Sequence, residues 1–328
     1  MIRRLVTKRR LLIFVPAAMV LAAFLAMWLF WVGPGPSSQP TQIVIAQGTS
    51  VNRVADQLAD AGVIRSAGGF RLFARMFGSS DPIQAGTITI PPGASAARIL
   101  DLLQHGRPAP QLVVIPEGLP SVLVHDRLMA APYLTGDVPV PEEGSVLPST
   151  YSYQRGETRA AVLARMQNAM QRELARLWAR RRPGIAVSSP GEAIILASIV
   201  EKETGKASER RLVAGVYSNR LRQGMRLQAD PTVIYPVTRG RPLGRPILRS
   251  ELRAENGYNT YVISGLPQGP IANPGRASIA AVLDPQPTPH LYFVADGTGG
   301  HVFATTLAEH EANVQRWRAL RRARGETP

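Results

Sequence analysis

Leu196-Ala197-Ser198-Ile199-Val200-Glu201-Lys202-Glu203-Thr204 sets two carboxylates and a lysine into an otherwise apolar run. Just upstream, Ser188-Ser189-Pro190 offers a serine cap followed by proline in the first turn, which predicts a helix from about Pro190. Ile194, Ile195, Leu196, Ala197, Ile199 and Val200 cover nearly its whole circumference, so the helix is expected to be buried on most sides. At about 100° per residue Glu201 falls in line with Ile194 and Ala197, and Glu203 with Leu196, Ile199 and Val200. Periodicity does not choose between the two. Either carboxyl would be poorly solvated, and desolvation raises a carboxyl pKa, as a general acid near neutral pH requires. The bland alternative is a glutamate paired with Lys202 or with an arginine at the helix's C-terminal end.

Helices are expected on both sides of this one. Residues 159–181 carry Val162, Leu163, Met166, Met170, Leu174 and Leu177 on one stripe, opposite arginine and glutamine. Residues 210–222 repeat the pattern and end at Gly224, a C-terminal glycine. Loops then follow at 227–232, 257–261 and 265–275, rich in Asn, Gln, Asp and Tyr beside prolines, a composition suited to holding polar groups and aromatic faces for sugars. Turn chemistry alone accounts well for Asn273-Pro274-Gly275 and less well for residues 228–232. A short helix at 278–283, a hairpin of 291–295 with 301–304 across Asp296-Gly297-Thr298-Gly299-Gly300, and a helix at 307–324 complete this part.

The N-terminal half has different signals. Five cationic residues precede an apolar run at residues 11–32, which is long enough as a helix to rise roughly 30 Å and cross a bilayer. Residues 1–10 are then expected in the cytoplasm, with Trp28 and Trp31 at the far interface and the rest outside. Residues 33–40, rich in Gly and Pro, read as a linker. Strand-like stretches at 42–46, 87–90 and 112–115 alternate with helical ones at 50–58, 69–76 and 95–103, capped by Ser50 and Ser95: a small α+β unit over residues 41–115. Proline and glycine punctuate residues 116–153, a boundary or hinge. The net charge of +15 is nearly all arginine, and the C-terminal cluster reads most simply as a solvated basic tail. No cysteine is present, which excludes disulfides, thiolate chemistry and cysteine-based metal sites, and the five histidines show no ligand spacing.

Six ordered blocks resemble a known family: residues 197–204, Ser218-Asn219-Arg220-Leu221, residues 224–233, Tyr258-Asn259-Thr260-Tyr261, Gly265-Leu266-Pro267 and Leu291-Tyr292-Phe293-Val294-Ala295. In order and spacing they closely resemble the endolytic murein transglycosylases of the YceG-like family. The resemblance implies an α+β protein with an N-terminal transmembrane helix, a small LysM-like subdomain at 41–115 and a mixed α/β catalytic domain at 116–328. It implies cleavage of the MurNAc–GlcNAc β-1,4 bond of nascent peptidoglycan strands without water, giving 1,6-anhydro-MurNAc ends, from a single-pass position in the inner membrane with a periplasmic catalytic domain. Peptidoglycan synthases are implied as neighbours; no cofactor, metal or nucleic acid is expected. The resemblance assigns the acid to the first glutamate of the block, Glu201. It leaves Glu203, Asn219, Gln228, Asp230, Asn259 and Tyr261 as groups that position the glycan or orient Glu201.

Two departures concern the cleft wall and the domain junction: Ser149, where the family often carries an acid, and Pro236 after Tyr235, where glycine is common. Three rival readings remain. A pyridoxal-phosphate lyase needs a Schiff-base lysine, and beyond the apolar run only Lys202 and Lys206 exist. A non-catalytic peptidoglycan-binding scaffold sits poorly with an intact Glu201 block. A water-using hydrolase would take Asp230 or Glu203 as its base.

Overall fold

The computed structural model describes residues 19, 21–22, 24–46, 48–79, 81–106 and 110–325. The chain divides between Gln111 and Leu112 into two units. The basic segment 1–10 and most of the apolar run 11–32 lie outside the described residues; among the described ones no helix is long and apolar enough to cross a membrane.

In the first unit β1 (Thr41–Ile45) pairs antiparallel with β2 (Gly86–Ile90), Ile43 opposite Ile88. α1 (Val51–Asp60) and α3 (Ala96–His105) pack on this ribbon and α2 (Ala67–Phe77) packs against both, each helix started by a serine whose hydroxyl accepts a main-chain N–H three residues on. Ile43, Ile45, Val54, Leu58, Phe70, Ile88, Ile90, Ile99 and Leu103 form the core, at the positions the alternating and helical patterns select. The helix described over residues 24–32 adds an element that the sequence pattern does not assign to this unit. Trp31, expected at a membrane interface, is 6% exposed and stacks on Phe73 at 5.4 Å, whereas Trp28 is 49% exposed. The Gly/Pro stretch after it lies against the same unit: Gly35 N donates to Gly93 O, and Gly93 N to Ser37 O. Gly93 has φ +65, and this turn gives the proline-rich chain partners for its free main-chain groups.

From the end of the first unit into the second, β3 (Gln111–Ile115) pairs with β4 (Ser149–Tyr153) rather than extending the first ribbon. α4 (Ser121–Ala130) and the first half of α5 (Arg159–Ala179) cover that pair, with Val113, Ile115, Val124, Leu128, Val146, Val162 and Met166 between them. The second half of α5 enters another core, built around α6 (Pro190–Glu203), α7 (Arg210–Arg222) and α10 (Arg276–Leu283). Between them lie α8 (Asp230–Thr238) and the single turn α9 (Arg249–Leu252). Residues 230–232, expected as loop, open α8; Pro236 sits inside it, and the helix stops two residues later with Arg239 left-handed. β5 (Tyr292–Ala295) and β6 (His301–Ala304) make the expected hairpin, backed by α11 (Leu307–Ala323). Among the described residues the architecture is mixed α+β with three two-stranded ribbons.

Candidate active site

α6 is buried as its sequence predicts: Ala193, Ile194, Leu196, Ala197, Ser198, Ile199 and Val200 are all in the core. Its start is fixed twice, by Ser189 Oγ accepting Glu192 N at 3.2 Å and by Glu192 Oε2 accepting Ser188 N at 2.7 Å. Ser189→Ala removes one of these and is expected to lower stability by about 1 kcal/mol, read as a shift in the urea midpoint. At its other end the two glutamates, about 200° apart on the helix, reach different surroundings.

Glu201 points to the segment before α10. Its Oε2 accepts Gly275 N at 2.8 Å, and Arg210 Nη2 stands 3.9 Å from its Oε1; the side chain is 7% exposed. Gly118, at φ +70, passes so close that a Cβ there would lie 3.3 Å from Glu201 Cγ. The Glu117 carboxyl covers Gly275 from another side, since a Cβ on Gly275 would collide with it. Glu201 thus accepts a main-chain N–H in a packed junction, with the Arg210 guanidinium nearby.

Glu203 instead opens on a cavity of about 530 Å³, shared with Tyr217, Arg220, Gln228, Asp230, Tyr261 and residues of β5 and α11. Its pKa is raised to about 7, first by burial and then by the neighbouring Asp230 charge, while the Tyr217 hydroxyl and Arg220 pull the other way. Tyr261 OH donates to Asp230 Oδ1 at 2.6 Å, and burial and this bond both push the phenol's pKa up. Gln228 has φ +53, a left-handed conformation costing a non-glycine residue about 1 kcal/mol, and its N–H donates to Thr260 O. Beneath them Thr232 and Thr260, both fully buried, share a 2.8 Å hydroxyl contact, and Thr260 Oγ1 accepts Ala229 N at 3.0 Å. This pair locks residues 228–230 onto 259–261, and so aims Gln228, Asp230 and Tyr261 into one space.

Of the residues expected to position a ligand, Glu203, Gln228, Asp230 and Tyr261 line the cavity. The other two are used elsewhere. Asn219 Nδ2 donates to Thr288 O and His290 O beside a separate cavity of about 280 Å³. Asn259 is fully buried, donates to the carbonyls of Glu251, Leu252 and Ala254, and accepts Tyr261 N, which makes it the frame of that loop.

Sequence reasoning passed over Arg220, Tyr217, His301 and His310, which also border the cavity. Arg220 is 7% exposed, donates to Leu291 O at 2.6 Å and to Leu227 O at 2.8 Å, and lies 5.1 Å over the Tyr292 ring. Burial, then Arg220, push the His310 pKa down; the ring stacks on Tyr292. His301 Nδ1 meets Glu209 Oε2 at 2.8 Å. The available signal was a cation and an aromatic on the buried stripe of α7. Among the described residues no three His, Cys, Asp or Glu side chains are placed to hold a metal ion.

The arrangement offers a protonated carboxyl near neutral pH, a fixed carboxylate beside it and a polar, arginine-lined space for a sizeable ligand. Against known proteins, residues 43–316 match the model of the YceG-like family. An endolytic murein transglycosylase of Bacillus subtilis is 28% identical over 313 residues, 86% of each chain. One from Streptococcus pneumoniae is 26% identical over 328 residues, 85% of this chain and 58% of that protein. A crystal structure of a YceG-like protein from Listeria monocytogenes superposes with a TM-score of 0.52 at 26% identity, covering 84% of this chain and 99% of the other.

Proposed function

The chain belongs to the YceG-like family, and from that premise we infer that it is a peptidoglycan lytic transglycosylase that cuts glycan strands internally and leaves 1,6-anhydro-MurNAc ends. The observation that carries this reading is Glu203, a carboxyl with pKa raised to about 7 in the wall of a cavity it shares with Asp230 and Tyr261. In the step proposed, the Glu203 proton goes to the glycosidic oxygen as the C1–O bond breaks. The MurNAc C6 hydroxyl then closes on C1 and returns its proton to the Glu203 carboxylate. One group serves as acid and then base, and no water is consumed. Burial, and then the like charge of Asp230, keep Glu203 protonated, and Asp230, held by Tyr261, faces the positive charge that develops at C1.

The family resemblance names Glu201 as the acid, and this stands as the second reading. Its surroundings favour Glu203 instead: the Glu201 carboxylate is already occupied by Gly275 N, faces Arg210 and does not border the cavity. The placement we propose is an inner-membrane anchor in the apolar run that starts at residue 11, ending before Trp31 joins the core of the first unit, with the second unit outside, beside peptidoglycan synthases. The apolar residues 11–32 support it, and so does the exposure of Phe24, Leu25, Trp28 and Leu29 on the helix leading into the first unit.

Uncrosslinked peptidoglycan strands incubated with the full chain should yield fragments whose new ends have the mass of anhydro sugars. Reducing ends would mean a hydrolase, and binding without cleavage would mean a scaffold; either sinks the reading. The rate should fall about tenfold per pH unit above about pH 7, because the acid must enter the reaction protonated. A rate flat from pH 6 to 9 would remove Glu203 from that role.

A further inference from the structure

Among the described residues β5 is ladder-paired on one side only, to β6. Phe293, Val294 and Ala295, three consecutive residues of that strand, all border the Glu203 cavity. Side chains of a strand alternate between its faces, so three in a row border one space when that space runs along the strand's edge. The exposure of β5 agrees: all four residues are half-buried, with no alternation. Which groups point out follows from the ladder. Asp296 N donates to Gly300 O at 2.9 Å, and Val294 lies opposite Val302. Main-chain bonds alternate along an antiparallel pair, so Val294 turns its N–H and C=O toward β6, while Phe293 and Ala295 turn theirs toward the cavity. An unpaired edge of this kind is a template for another extended chain.

We propose that the outer edge of β5 docks an extended peptide, and that its occupant is the peptide stem carried by the glycan strand. The inference rests on the reading of the chain as a peptidoglycan-cleaving enzyme. The stem branches from the same kind of sugar whose bond is broken, so a peptide laid along β5 holds its parent sugar in the cavity that contains Glu203 and Asp230. A glycan alone has no alternating donors and acceptors to match a strand edge. The stem is a chain of amides and offers both an N–H and a C=O at its links. The edge therefore supplies both affinity and register, choosing which sugar along a uniform polymer sits at the acid.

The test compares two substrates with the full chain: strands bearing their stems, and the same strands freed of stems by an amidase. Stem-bearing strands should be cut with kcat/KM at least tenfold higher. A free stem peptide should slow hydrogen–deuterium exchange across residues 291–296. Ala295→Pro, which removes an outward N–H without taking a ladder bond, should bring the ratio between the two substrates close to one. Equal cleavage of both substrates by the parent protein, with no slowing of exchange, overturns the docking strip and leaves the proposed activity standing. Cleavage of neither substrate overturns the activity itself.

Discussion

Glu203→Gln should lower strand cleavage about a thousandfold, the scale set by removal of a general acid, and should make the folded protein more stable at pH 8. The second half is diagnostic. The folded-state pKa of Glu203 is raised from 4.5 to about 7, so between those values the folded protein binds more protons than the unfolded chain. Stability is then full below about pH 4.5, falls as pH rises to about 7 and stays reduced above it, by roughly 3 kcal/mol for a shift of this size. Glutamine has no such titration. Urea midpoints should therefore coincide for parent and variant near pH 4 and separate by pH 8, with the inactive variant the more stable one. Loss of activity with loss of stability would mean a structural role. Glu201→Gln should keep measurable cleavage; if it instead loses about a thousandfold while Glu203→Gln cuts at near the parent rate, the acid is Glu201.

Asn273→Ala should cost the second unit about 3 kcal/mol and lower its Tm by roughly 10 °C. Asn273 is fully buried, and its amide spans the unit: Oδ1 accepts Val146 N at 2.9 Å, and Nδ2 donates to Leu119 O at 2.9 Å and to Ser121 Oγ at 3.0 Å. Glu143, its carboxyl pKa raised by burial, sits on the same group and accepts Ser121 N. Alanine leaves a buried N–H and a buried carbonyl each short of a bond, which is why the effect exceeds that of an ordinary hydrogen bond. Calorimetry of Asn273→Ala checks it; a Tm within 2 °C of the parent would mean that water takes over these contacts.

Asn273 also marks where the sequence stops being readable. Asn-Pro-Gly is well explained as a turn, and nothing local says that the asparagine holds chain more than 120 residues away. The local signals were dependable: the serine caps of α1, α3 and α6, the alternation of β1 and β2 and the apolar girdle of α6 all predict what folds there. The site was half legible. Helical spacing put Glu201 and Glu203 on different faces but could not say which face is lined by Asp230 and Tyr261, because those come from α8 and a distant loop. For the same reason Asn219 and Asn259, polar and apt for sugars by type, turned out to bond main-chain carbonyls. Arg220 was missed because a buried arginine is paid for by acceptors from residues 226–228 and 291, a set that exists only in the folded chain.

Trp31 has a bearing on where the protein can be cut. The Gly/Pro stretch at residues 33–40 invites a truncation there, to free the exterior part from its apolar leader. Such a trimmed chain would leave the first unit without the indole that fills the space over Phe70 and Phe73, and without Phe30 stacked beside it. The exposed aromatic floor would then be sticky, and poor solubility of the fragment would be mistaken for a property of the enzyme. The safe cut lies upstream of Met27, inside the run that looks as though it belongs wholly to the membrane.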